Sequence, residues 1–164
     1  MSHPSLGLPP DDPFADASVA PRRVHDRTSD LAARALAVAI DRDPTFRERY
    51  DEVGLRARLH DAEMFVDRLA IALATERLEL VAQYADWTVP MYRRKRVPLD
   101  DMIALCEGFK AALPGVLSET ELPPAYEALD EAIAVYRNQR RLAGDARKRN
   151  RVIQFIYKGA WGRP

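Results

Sequence analysis

Imidazole and thiol side chains, which single out a metal or nucleophile site better than the 25 carboxylates do, are few in this chain of 164 residues: three histidines, His3, His25 and His60, and one cysteine, Cys106. His60, Glu63 and Asp67 stand at i, i+3 and i+7, so on a helix they share a face. A carboxylate-bridged dimetal bundle needs Glu-x-x-His on two helices plus further glutamates. Here the order is His-x-x-Glu and it occurs once, so no metal site is expected and the three read as a solvated face. His60 is the one histidine placed to serve as an axial haem ligand. Cys106 falls within an apolar stripe, which predicts a buried, inert thiol; a reactive thiolate would want basic neighbours or a helix N-terminus. No Gly-rich phosphate loop, CxxC or supported Ser-His-Asp grouping occurs. These residues point away from an enzyme.

A second group has binding chemistry. From Leu80 to Leu113 the chain reads LVAQYADWTVPMYRRKRVPLDDMIALCEGFKAAL. Tyr84, Trp87, Met91 and Cys106 either complete a core or line a ligand pocket opened where Pro90 interrupts the helix. Arg93, Arg94, Lys95 and Arg96 form a basic corner that is solvated, meets an anionic ligand, or meets the acidic stretch from Glu119 to Glu131. A third candidate is the C-terminal segment. Residues 137–164 carry nine basic side chains against Asp145 alone, a net of +8. Arg147, Lys148, Arg149 and Arg151 precede Phe155, Tyr157 and Trp161, a basic amphipathic pattern suited to an acidic partner groove or an anionic surface. No helix-turn-helix or other nucleic-acid module accompanies it, so nucleic acid is not the expected partner.

The elements that position these groups are helices. Leu55, Leu59, Ala62, Val66, Leu69 and Leu73 repeat in alternating steps of four and three. So do Leu80, Tyr84, Trp87 and Met91; Leu99, Met102, Cys106, Phe109 and Leu113; and Leu122, Tyr126, Leu129, Ile133 and Tyr136. Each pattern puts an apolar stripe on one helix face and suits near-parallel packing. An alanine-rich helix from Leu31 to Ile40, capped by Thr28 or Ser29, allows close approach. Asp43-Pro44 starts a short helix that Gly54 ends. Pro90 is expected to kink or end its helix near Val89. Pro98 begins the next helix with Asp100 and Asp101 in its first turn. The last helix begins at Pro123 and is expected to run past Gly144. The fold class is all-α: one helical bundle of five or six helices, either a four-helix bundle or a globin-like variant. Five prolines in residues 1–25 predict a flexible, disordered leader, with the bundle domain over 26–164.

Composition sets the outer limits. Acidic and basic residues balance at 25 each, so no net field draws the chain to DNA or membranes. No apolar run approaches the roughly 20 residues that span a bilayer, and one cysteine suits a reducing cytoplasm.

The phrase YADWTVPMYRRKRVPLDD, with Val97-Pro98-Leu99-Asp100-Asp101 opening a helix after an aromatic one and basic residues, resembles the N-terminal helical domains of bacterial stressosome co-antagonist regulators. The likeness covers about residues 55 to 140. It implies a globin-like fold without haem and a sensor or regulatory role exercised through a protein partner or homo-oligomer. Trp87 also resembles the tryptophan of the helical cap in cobalamin-dependent light sensors and methyltransferases. There a Glu-His pair follows some ten residues later, where this chain has Val97-Pro98. The expected role is therefore a non-catalytic regulatory module without a cofactor, with a small-molecule, haem or cobalamin binder as the alternative.

Overall fold

Alternating apolar steps of three and four need partner helices on their buried faces, and the chain supplies them within one bundle. A computed structural model describes residues 12–146. The described residues form seven α-helices: α1 Val19–Asp26, α2 Thr28–Arg42, α3 Thr45–Arg49, α4 Glu52–Ala74, α5 Glu79–Arg94, α6 Leu99–Ala112 and α7 Leu122–Ala143. A 3-10 turn at Leu113–Gly115 follows α6, and there is no strand among the described residues. None of these helices is long and apolar enough to cross a membrane. The all-α bundle expected from the stripes is what the chain forms. Its five long helices close a ring: α2 packs on α4 and α6, α6 on α7, α7 on α5, and α5 on α4. Inside the ring Phe65 of α4 stacks on Phe109 of α6, ring centres 5.8 Å apart.

At the α2–α6 seam the two backbones come close together. Ala32, Ala35 and Ala39 are fully buried, and a β-carbon on Gly108 would stand 2.3 Å from the Ala35 carbonyl oxygen. Only glycine fits there. The α6 stripe is correct throughout: Leu99, Met102, Cys106, Phe109 and Leu113 are all buried. In α4 the residues Ala62, Val66 and Leu69 are buried, as are Leu129, Ile133 and Tyr136 in α7.

Ionic contacts fix the helix ends. In the first turn of α6, Asp101 is 2% exposed. It accepts from Arg49 Nη2 at 2.6 Å and from the Tyr50 hydroxyl at 2.7 Å, while Arg49 also reaches Asp43 at 3.0 Å. Pro98, at the N-cap of α6, has no side chain able to cap. Asp145 serves instead, accepting from the Leu99 and Asp100 amides at 2.6 and 3.1 Å. Ahead of α7, Glu121 accepts from the Ser118 amide and hydroxyl, both at 2.8 Å. This is the return half of a capping box.

Five expectations on boundaries are corrected. The leader ends early, because residues 19–26 form α1, whose Val24 is buried; residues 1–11 lie outside the described part of the chain. Thr28 does not cap α2; its hydroxyl donates to the His25 carbonyl. Gly54 ends no helix: it sits in the first turn of α4, where Asp51 accepts its amide at 2.7 Å. Pro90 does not end α5, which continues to Arg94; the proline is on the solvent side, where loss of one backbone donor is least costly. Finally, α7 stops at Ala143 rather than running past Gly144, whose φ of 74° and ψ of 179° suit glycine almost alone.

Two measurements check this account. Gly108→Ala gains about 1 kcal/mol in helix propensity, but the added carbon meets a backbone that cannot turn aside. Overpacking of this kind costs roughly 1–3 kcal/mol or more, so urea titration should show a net loss of about 2 kcal/mol. Second, the Ser118 amide and hydroxyl, and then Arg23, hold the Glu121 carboxyl below its ordinary value. A lowered folded-state pKa stabilises above the unfolded value, and that stability is lost as pH falls through the folded one. Glu121→Gln should therefore be less stable than the parent at neutral pH, and the difference should close in acid.

Candidate functional site

Two stripes of identical spacing compete on α5, and the inner one is not the stripe of large residues. Val81, Ala85, Thr88 and Tyr92 are buried, one residue, or about 100°, around from Leu80, Tyr84, Trp87 and Met91. The reason lies in α7. Thr88 shares a hydrogen bond of 3.1 Å with the fully buried Tyr136 hydroxyl and donates to the Ala85 carbonyl at 2.8 Å. Small side chains at 81, 85 and 88 let α7 approach, while Tyr92 fills the end of the interface, 6.5 Å from Tyr136.

The larger stripe is consequently an outer face. Trp87 is 72% exposed. It stands on Tyr84, ring centres 6.0 Å apart and planes at 30°. Tyr84 is itself held from below. Phe65 meets it edge-on at 5.6 Å, and the Arg68 guanidinium lies 5.5 Å over its ring. Burial pushes the Tyr84 hydroxyl up, with Asp61 adding to the shift and Arg68 opposing it. Helices α4 and α5 run antiparallel through a short turn. Arg68 faces Tyr84, and Asp61, two turns earlier, acts on Tyr92. That register brings Met64, 40% exposed, level with Trp87. Met91, one turn beyond Trp87, is half-buried.

The expected pocket does not assemble. Tyr84 and Trp87 share a surface and Met91 follows on it, but Cys106 is fully buried in α6. Burial, then Glu107, pushes its thiol far up, as expected for an inert core cysteine. A cleft of about 350 Å³ exists elsewhere, lined by Arg23, Asp26, Arg27, Gly115 and Val116. There Arg23 is already held by both Glu121 oxygens at 2.6 Å.

His60 stands on the surface: its side chain is 71% exposed, with Nδ1 3.9 Å from Glu63. Its face is not simply solvated. Glu63 accepts from Ser29 at 2.9 Å and Asp67 from Thr28 at 3.1 Å, so both dock the start of α2. Among the described residues no three metal-capable side chains gather.

Beneath the outer face lies a polar cluster that the stripe pattern does not reveal. Arg58 is 4% exposed, with its guanidinium 5.5 Å from the Tyr50 ring and 5.6 Å from the Tyr92 ring. Its Nη2 is 2.9 Å from Asp61 Oδ2, a contact electrostatic in character rather than an aligned hydrogen bond. Arg58 Nε and Nη1 and the Tyr92 hydroxyl have no hydrogen-bond partner among the described residues. Burial raises the Asp61 carboxyl, opposed by Arg58, Lys95 and His60. The i, i+3 spacing of Arg58 and Asp61 was the only sequence signal for this cluster.

The basic corner continues the Trp87 stripe. Arg93, Arg94, Lys95 and Arg96 are all exposed. Arg93 donates to the Gln139 carbonyl at 2.8 Å. Of the acidic stretch expected as a partner, Glu121 is held by Arg23 at 2.6 Å and Asp130 by Lys110 at 2.7 Å. Arg147, Lys148, Arg149, Arg151, Phe155, Tyr157 and Trp161, expected to bind a partner, lie outside the described residues.

Because Trp87 packs on one side only, Trp87→Ala should change the unfolding free energy by no more than about 0.5 kcal/mol, measured by urea denaturation; a loss of several times that would place its indole in the core. Compared with known protein families, with curated proteins and with solved structures, the chain finds no match.

Proposed function

We propose that the chain is a non-catalytic regulatory module that acts through protein contacts, with the outer face of α4 and α5 as its contact surface. One observation carries this reading. A tryptophan 72% exposed is mounted on Tyr84, which Phe65 and Arg68 hold in place. Ordering a large amphipathic ring before binding removes much of the entropy that association otherwise costs. Tryptophan, tyrosine, methionine and arginine are also the residue types enriched where interfaces concentrate their energy. Here Met64, Arg68, Tyr84, Trp87 and Met91 supply all four types on neighbouring faces.

Site-specific photo-crosslinking tests the reading. A photoreactive residue replacing the exposed Gln83, one turn before Trp87, should give a discrete protein adduct in cells. The same residue at exposed Ala33, on α2 away from this face, should not. Trp87→Ala should remove most of the Gln83 adduct. Equal adducts at both positions, or none at Gln83, would defeat the proposal.

A further inference from the structure

The surface around Trp87 has a polarity as well as an anchor, and the polarity specifies the partner. Along the outer stripe of α5 the order is Tyr84, Trp87, Met91, Arg94, so an aromatic and thioether half passes directly into a cationic one. Arg94 and Arg96 are exposed and make no ion pair among the described residues; the exposed Arg42, Arg47 and Arg141 make none either, but Arg94 is the one of these in line with Trp87 and Met91, while Arg23, Arg34, Arg77 and Arg140 are paired with acids. Arg96 is also held at φ 56°, a left-handed conformation uncommon for a non-glycine residue. On the other flank, Arg68 keeps its charge at the surface over Tyr84. Asp86 is the acid nearest in sequence to Trp87, and Gln139 already engages it at 2.9 Å.

We infer that this face binds an acidic amphipathic helix of a partner protein, its apolar residues on Trp87, Met91 and Met64 and its carboxylates on Arg94 and Arg96. The inference rests on reading the Trp87 face as a contact surface. Charge complementarity selects the occupant. Cations that lack internal partners favour carboxylates, and Arg presents a planar fork that matches them. The antiparallel α4–α5 pair carries the exposed Met64 and Trp87 on adjoining helices, a surface on which the apolar face of an amphipathic helix can lie. An anionic membrane would meet the same charges. However, the strongly exposed large apolar groups on this face are Trp87 and Met64, little surface for insertion compared with the continuous apolar face of an interfacial helix.

The test is display of random peptides of about sixteen residues, long enough for four helical turns, selected on the full chain and counter-selected on Trp87→Ala. Enriched peptides should combine Asp or Glu with apolar residues spaced three and four apart. Trp87→Ala should weaken them at least about tenfold. Arg94→Glu with Arg96→Glu should weaken them about tenfold at low salt and much less at high salt.

Enrichment of neutral or basic peptides that still depend on Trp87 would overturn the acidic partner and leave the contact surface standing. No Trp87-dependent enrichment would overturn the inference. If phosphatidylglycerol vesicles then shift the emission of a Trp161→Phe chain, whose one tryptophan is Trp87, a membrane surface takes the helix's place; if the parent self-associates and Trp87→Ala does not, a second copy does. Loss of the Gln83 adduct described above is a separate result and bears on the contact surface itself.

Discussion

Gly108 meets Ala35 backbone to backbone, and the placement of the other long helices follows from that contact. A side chain at 108 would separate α2 from α6 by the width of a methyl group or more. Helix α6 is buried on two sides, against α2 through Gly108 and against α7. Moving it would open the core at Phe65 and Phe109 and shift α7 relative to α5. The Thr88–Tyr136 hydrogen bond depends on that last relation. Small residues on α2 and on the inner face of α5 therefore do related work. They let helix backbones come close, while large side chains fill the space enclosed by the ring.

Position along the axis of α6 is set by polar groups rather than by packing. A proline before the helix cannot cap it, and three remote residues take over. Asp145 accepts the first two amides, and Arg49 and Tyr50 converge on Asp101. Removing one partner of so buried an ion pair costs roughly 3–5 kcal/mol, because it leaves the other charge uncompensated in a poorly solvating place. The same logic applies less completely at Arg58. There two aromatic faces and a raised carboxyl substitute for full hydrogen bonding. That corner is the least satisfied polar region of the described interior.

How much of this was legible in the sequence depended on whether a helix carried one apolar stripe or two. Helix α6 carries one, so its buried residues could be read from spacing. Helix α5 carries two, offset by a single residue, and size misled. Tyr84, Trp87 and Met91 are the bulkier set, but Val81, Ala85 and Thr88 are the ones that admit α7. Nothing within α5 announces this, because the deciding partner, Tyr136, is 48 residues away. Pro90 misled for the same reason, since its cost depends on which face it occupies. Gly54 was read as a stop because Asp51 was not seen as the cap. Arg58 was invisible because an arginine beside an apolar stripe ordinarily reaches solvent.

Handedness delimits the helix that carries the tryptophan. Just before α5, Glu76 has φ 54°, and just after it, Arg96 has φ 56°. Each turns the chain so that the next amide reaches back into the helix just completed, Arg77 to Ala72 and Val97 to Tyr92, both at 2.9 Å. These are Schellman closures built without glycine. The first closes α4 and the second closes α5, so α5 runs between two chain reversals and its outer stripe becomes a ruler. Trp87 and Arg94 are seven residues apart, almost in line and separated by about 10 Å at 1.5 Å per residue. A partner able to read both must carry its own apolar and acidic groups at that interval, two helical turns apart.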